Sequence, residues 1–219
     1  MDNSFFQFLG RLAANNNRPW FQGHKAEFDI IREQWYAEVD RVIAAMTPAI
    51  PELAGQSGRT ASYRIYRDTR FSLDKTPYKT YFSALISPHG RTTNRAGFYI
   101  HAGIDGSGLY GGIWCPPSPV LRKLRHAIVD NIEEFEQIIN EKELLKLFPG
   151  WTGDKLKTIP KGWGRDHPQA ELLRLKELGK VCPIDNDFFN HELWPEIAAK
   201  RLLVLKPLVD FINYTIDEE

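Results

Sequence analysis

Between residues 60 and 115 the spacing of apolar side chains shortens from that of a helix to that of a strand, which limits the folds open to the chain. The segments "TASYRIYRD", "YKTYFSALIS", "AGFYIHAGI" and "SGLYGGIWC" are rich in tyrosine, isoleucine and phenylalanine, with turn residues between them at hairpin spacing. They predict a four-stranded antiparallel meander.

On either side the period is helical. In "SFFQFLGRLAANNN", Phe5, Phe8, Leu9 and Leu12 recur at helical intervals after a Ser4 cap, and Asn15, Asn16 and Asn17 end the run. Pro19 suits the first turn of a long second helix reaching Met46, whose apolar stripe includes Phe28, Ile31, Trp35, Val39 and Val42. The prolines and glycines of "TPAIPELAGQSG" end it. Helical period returns in "SPVLRKLRHAIVDNIEEFEQIINEKELLKLF", with a break at Asn131, in a short "QAELLRLKELG" helix, and in a closing helix kinked at Pro195 and Pro207. Strand and helix do not alternate, which argues against a parallel sheet with crossover helices. The expectation is one α+β domain over residues 1–219, with a central antiparallel sheet of about four or five strands flanked by N-terminal and C-terminal helices.

Hydrophobic content of 42% and aromatic content of 12% are those of a packed globular protein. Basic and acidic residues both total 28, so no net charge draws the chain to nucleic acid or a membrane, and any anion site has to be local. No apolar run reaches the roughly 18 residues of a membrane helix. The opening stretch lacks a basic segment followed by a long apolar core, so a cytoplasmic protein with no membrane partner is expected. Cys115 and Cys182 stand far apart without a CxxC pair, which reads as two free thiols.

"GSGLYG", from Gly106 to Gly111, matches the glycine pattern of a dinucleotide site, but strand and then proline follow where that site needs a helix N-terminus. It reads as a hairpin. Neither a phosphate loop, a nucleophile elbow nor a metal-ligand cluster occurs, and no metal or cofactor is expected.

The concentration of charge lies in "RIYRDTRFSLDKTPYKT". From Arg59 to Tyr81 six basic residues accompany two acidic ones. In a strand, period two sets Arg64 and Tyr66 on one face and Tyr63, Ile65 and Arg67 on the other. Arginine offers a fork of donors suited to phosphate or carboxylate, and lysine adds a point charge. In "GFYIHAGI", Phe98, Ile100 and Ala102 supply core, which leaves Tyr99 and His101 on the opposite face between Gly97 and Gly103. The irregular stretch "PGWTGDKLKTIPKGWGRDHP" sets Lys157 and Lys161 where they could form a second basic wall.

Four blocks, "NNNRPWFQGHKAEF", "RIYRDTRFSLDKTPYKT", "GFYIHAG" and "GDKLKTIPKGW" followed by "DHP", resemble the signature blocks of a microbial family catalogued as domain of unknown function 2461. The resemblance runs from about Phe5 to Ile216 and implies one compact α+β domain and no assigned activity. On chemistry, three readings stand. In the first, an anionic small molecule, phosphorylated compounds included, is bound by Arg64, Arg67, Arg70, Lys75, Lys79, Tyr99, Lys157 and Lys161, with His101 or Asp68 as candidate acid or base. In the second, which is less favoured, nucleic acid meets the same surface. In the third, the arginines form ion pairs within a non-catalytic interaction module.

Overall fold

The computed structural model describes residues 4–91 and 94–218; Met1 to Asn3, Thr92, Thr93 and Glu219 lie outside it. In chain order its elements are α1 (Ser4–Ala14), α2 (Arg18–Gly23), α3 (Lys25–Met46), α4 (Gly58–Ala61), β1 (Tyr81–Ile86), β2 (Gly97–Gly103) and β3 (Ser107–Ile113). There follow α5 (Ser118–Asp130), α6 (Ile132–Ile139), α7 (Lys142–Leu147), β4 (Gly150–Trp151), α8 (Ala170–Leu173), β5 (Leu178–Ile184), α9 (Trp194–Leu203) and α10 (Lys206–Asp217). The strands form one antiparallel sheet in the order β1-β2-β3-β5-β4, so the α+β class stands.

Several elements differ from expectation, each for a local reason. The long second helix divides at His24, where Gly23 weakens the helix and the His24 ring stacks on Trp20 at 4.0 Å with Nδ1 2.8 Å from the Trp20 carbonyl. The closing helix is two helices, because Pro195 and Pro207 occupy first-turn positions and start helices rather than kink one. "TASYRIYRD" does not become a strand. Ser57 accepts from the Thr60 N–H while Thr60 Oγ1 accepts from the Ser57 N–H, and this reciprocal cap turns Gly58–Ala61 into a helix.

The chain after α4 still runs antiparallel to the following segment, through isolated bridges Ser62↔Ala84 and Tyr66↔Tyr78. Three residues lie between 62 and 66 and five between 78 and 84, so the second side carries two extra residues and a continuous ladder cannot form. The period-two assignment nevertheless holds: Arg64 and Tyr66 are exposed, whereas Ile65 is buried and Tyr63 and Arg67 are half-buried. The expected strand "SGLYGG" is β3, and helix begins only at Ser118, so the glycine motif is a hairpin. The strands β4 and β5 are additions.

The described residues cluster into two compact units. The first comprises the described residues of 4–91, 99–109 and 183–203. Its core centres on Phe82 of β1, whose ring meets Phe5 at 5.0 Å, Phe28 at 5.8 Å and Trp35 at 5.8 Å. Trp35 donates its indole N–H to the buried Ser62 hydroxyl at 2.8 Å and stacks on Trp194 of α9. The three consecutive asparagines divide the work of joining elements. Asn15 donates to the Arg11 carbonyl, Asn17 caps α2 by accepting from the Trp20 N–H, and the Asn16 amide exchanges two hydrogen bonds with the Tyr78 backbone.

The second unit comprises the described residues of 94–98, 110–182 and 204–218. Here β4 pairs with β5 in the register Gly150↔Val181 and Trp151↔Lys180. Phe135 stacks on Trp151 and meets Phe211 of α10. The Lys180 ammonium is buried, lies 4.5 Å from the Trp151 ring centroid and donates to the Phe148 carbonyl, which ends α7.

Gly58 is a point of close approach in the first unit: a Cβ there would stand 2.0 Å from the Tyr36 carbonyl oxygen of α3, while its N–H donates to Asp40. Gly58→Ala is expected to lower unfolding free energy by about 1–3 kcal/mol in urea titration, the range of overpacking substitutions. An unchanged midpoint would show that α4 does not pack on α3 in this way.

Candidate functional site

The sheet surface opposite the Phe82 core carries the candidate site. In β1 and β2, Phe82, Ala84, Phe98, Ile100 and Ala102 are buried, so alternation sets Tyr81, Tyr99 and His101 on the other face, where all three are half-buried. The His101 ring packs 4.3 Å from Tyr81, and the Tyr99 hydroxyl lies 3.4 Å from its Nδ1. Gly103 makes room for it, since a Cβ there would stand 2.8 Å from His101 Nε2. Burial lowers the His101 pKa, Asp105 opposes that shift and Lys79 adds to it. A histidine held below its ordinary value is a neutral imidazole at pH 7, able to donate or accept one proton.

Beside Tyr81 opens a cleft of about 500 Å³ lined by Ala13 and Asn16 at the end of α1, by Arg67, Asp68, Asp74 and Thr76 of the connecting loop, and by residues 78 to 81. Its lining holds two cations and two carboxylates. The Arg67 guanidinium is tied to the Asp74 carboxylate and the Thr76 hydroxyl, and Arg70 to Asp68 through its Nε at 3.0 Å and Nη2 at 2.7 Å. These contacts, with the backbone N–H donors of Arg70 and Thr76, pull the Asp68 and Asp74 pKa values down to about 2. For a depressed carboxylate the stabilisation is present above the ordinary carboxylate range and is lost as pH falls through about 2, so both pairs persist at all physiological pH.

Lys79 is different. Its ammonium lies 5.4 Å from the Tyr63 ring centroid and 5.5 Å from that of Tyr81, and it makes neither a hydrogen bond nor an ion pair to a described residue. Burial lowers its pKa first, and the charges of Arg64 and Arg91 lower it further. Arg91 is exposed, with its guanidinium 5.5 Å from the Tyr63 ring centroid and bonded to the Ser62 carbonyl.

Of the residues expected from sequence, Arg67, Asp68 and Lys79 line the cleft, and Tyr99 and His101 stand on the sheet face beside Tyr81. Arg64 is exposed and close enough to bias both Asp68 and Lys79. Arg70 and Lys75 point into solvent, Lys75 donating to the Thr69 carbonyl. Lys157 and Lys161 are exposed on the segment between β4 and α8, in the second unit. Sequence reasoning missed Asn16, Arg91 and the ring face of Tyr81. Asn16 reads as a helix stop, and Arg91 lies beyond the strand that brings it to Tyr63.

The structure defines an α+β protein in which a half-buried sheet face gathers tyrosines and a histidine beside a lysine that has no ion pair among the described residues, at the edge of an open cleft. The described residues contain no group of histidine, cysteine or acidic side chains arranged to hold a metal, and no helix long and apolar enough to cross a membrane. The chain belongs to the DUF2461 family, described as a conserved hypothetical protein, whose model matches residues 4–211. Searches of curated proteins and of solved structures return no match.

Gly103→Ala is expected to push His101 off Tyr81 into solvent and raise the midpoint of its titration, followed by NMR of the imidazole resonances. A titration identical to that of the native chain would contradict the packing described for this face.

Proposed function

We propose that the protein binds an anionic small molecule, of the phosphate or carboxylate type, with Lys79 as its principal contact. One observation carries the reading: a half-buried ammonium with two arginines nearby and no described carboxylate in contact. Removing a charge from water without a counter-charge is costly, and two aromatic faces return only part of that cost. An anion at this position supplies the missing partner. Arg64 and Arg91 add long-range attraction, the Asn16 and Thr76 side chains offer further polar contacts from the cleft wall, and His101 can bond a ligand or move a proton.

Asp68 is not suited to the second of those tasks, because a carboxylate with a pKa near 2 is a weak base at neutral pH. The ion-pair reading applies to part of the same segment. Arg67 and Arg70 are tied to Asp74 and Asp68, which leaves Lys79 as the cleft-lining cation available to a ligand. Nothing in this reading depends on Lys157 or Lys161.

The test is thermal stabilisation by inorganic phosphate, pyrophosphate and a panel of phosphorylated and dicarboxylic compounds, applied to the native chain and to Lys79→Met. At a hundred times Kd a bound anion is expected to raise the melting temperature by roughly 5–10 °C. The shift should vanish in Lys79→Met and persist in Arg70→Ala. Equal shifts in the native chain and Lys79→Met, or no shift with any anion, would refute the proposal.

A further inference from the structure

The tip of the loop between Arg64 and Thr80 takes no part in the cleft, yet it carries the two most exposed apolar side chains described. Phe71 is 95% exposed and Leu73 103%. The tip is tied from within. Arg67 bonds Asp74 and Thr76 and reaches the Ser72 hydroxyl at 3.5 Å, Lys75 donates to the Thr69 carbonyl at 2.9 Å, and the Thr76 N–H donates to Asp74 at 2.9 Å. The loop therefore holds Phe71 and Leu73 outward on a cross-bonded frame that also carries exposed Lys75 and exposed Arg70, whose guanidinium lies 5.8 Å from the Phe71 ring centroid.

Charge and shape narrow what such a tip can meet. From Arg64 to Lys79 five cations and two carboxylates give a local charge of +3 on a chain of zero net charge. A stable protein–protein contact buries about 800 Å² on each partner, far more than two side chains at a loop tip supply, and it needs a pocket shaped to receive them. A single nucleic-acid strand would stack a base on Phe71, but Leu73 has no ring face and is at least as exposed. An anionic bilayer accepts both side chains without a matched pocket and attracts the surrounding cations.

We infer that this loop docks the protein on an anionic lipid surface, Phe71 and Leu73 entering the interface while Arg70 and Lys75 meet the headgroup phosphates. Surface docking needs no spanning helix. The expectation of no membrane partner rested on the absence of a spanning segment and on global charge, and neither bears on a loop with its own charge and apolar tip. The inference goes beyond the anion site proposed above and does not require it.

The test is co-sedimentation of the full chain with phosphatidylcholine vesicles and with vesicles that also contain phosphatidylglycerol, at low and high salt. Binding is expected to the anionic vesicles and to weaken as salt rises. The Phe71→Ser, Leu73→Ser double variant should bind about tenfold or more weakly, since burying one large apolar side chain changes a partition constant by that order. Arg70→Glu with Lys75→Glu should abolish the preference for anionic lipid. Phe71 and Leu73 are exposed, so an unchanged melting temperature is expected of their double variant and serves as its folding control. No binding to anionic vesicles, binding unaffected by the double variant, or a single-stranded nucleic acid bound through Phe71 in place of vesicles would overturn the inference. Lys79→Met should retain vesicle binding, and the Phe71→Ser, Leu73→Ser variant should retain the anion-induced melting shift, so either reading can fail alone.

Discussion

The packing of Phe82 against Phe5, Phe28 and Trp35 is the contact on which the first unit turns. Each aromatic pair adds about 0.5–1.5 kcal/mol beyond the area it buries, and together they join β1 to α1 and α3. Because this contact claims one face of β1, alternation leaves Tyr81 no choice of side, and the pairing of β1 with β2 brings Tyr99 and His101 to the same surface. The candidate site is thus a consequence of filling the core, and Gly103 keeps the space that His101 then occupies.

The charges of the loop sort by what holds them. Arg70 and Asp68 form an exposed pair, and such pairs contribute about 0–1 kcal/mol. Arg67 is less exposed and joins Asp74 and Thr76, so it fixes the shape of the loop rather than serving a ligand. Lys79 has no such partner among the described residues. The bulge between the two isolated bridges carries it to the rings of Tyr63 and Tyr81, where Arg64 and Arg91 further disfavour its charge. Of the five cations in this segment, Arg67 and Arg70 are therefore paired with its two carboxylates, and Lys79 is the unpaired one that lines the cleft.

Much of this was legible in the sequence because it follows from period and punctuation. The helical stripe of α3, the core face of β2 and the opposite facing of Arg64 and Arg67 all obey spacing rules that hold even where the ladder is too interrupted to make a strand. The unread parts depend on contacts distant in sequence or on competing local bonds. "LGKVCPI" does not look like a strand, because Lys180 points inward and Pro183 interrupts the pattern, yet Trp151 and the Phe148 carbonyl receive the ammonium. The "NNN" run signals a helix end, whereas the amide of Asn16 binds a backbone at Tyr78, 62 positions later. At the site, the tyrosines and His101 were visible as residue types. Which cation would lack a partner depended on pairings such as Arg67 with Asp74 that no spacing rule supplies.

The central claim is that Lys79 is a half-buried cation with no counter-charge among the described residues, and direct titration of its side chain tests it. NMR of the Lys79 Cε and Nζ resonances should give a midpoint below the ordinary lysine value, because burial and the neighbouring arginines disfavour the charged form. Saturating phosphate should raise that midpoint, since an anion in contact favours the protonated ammonium. An ordinary midpoint that phosphate leaves unmoved would contradict the account.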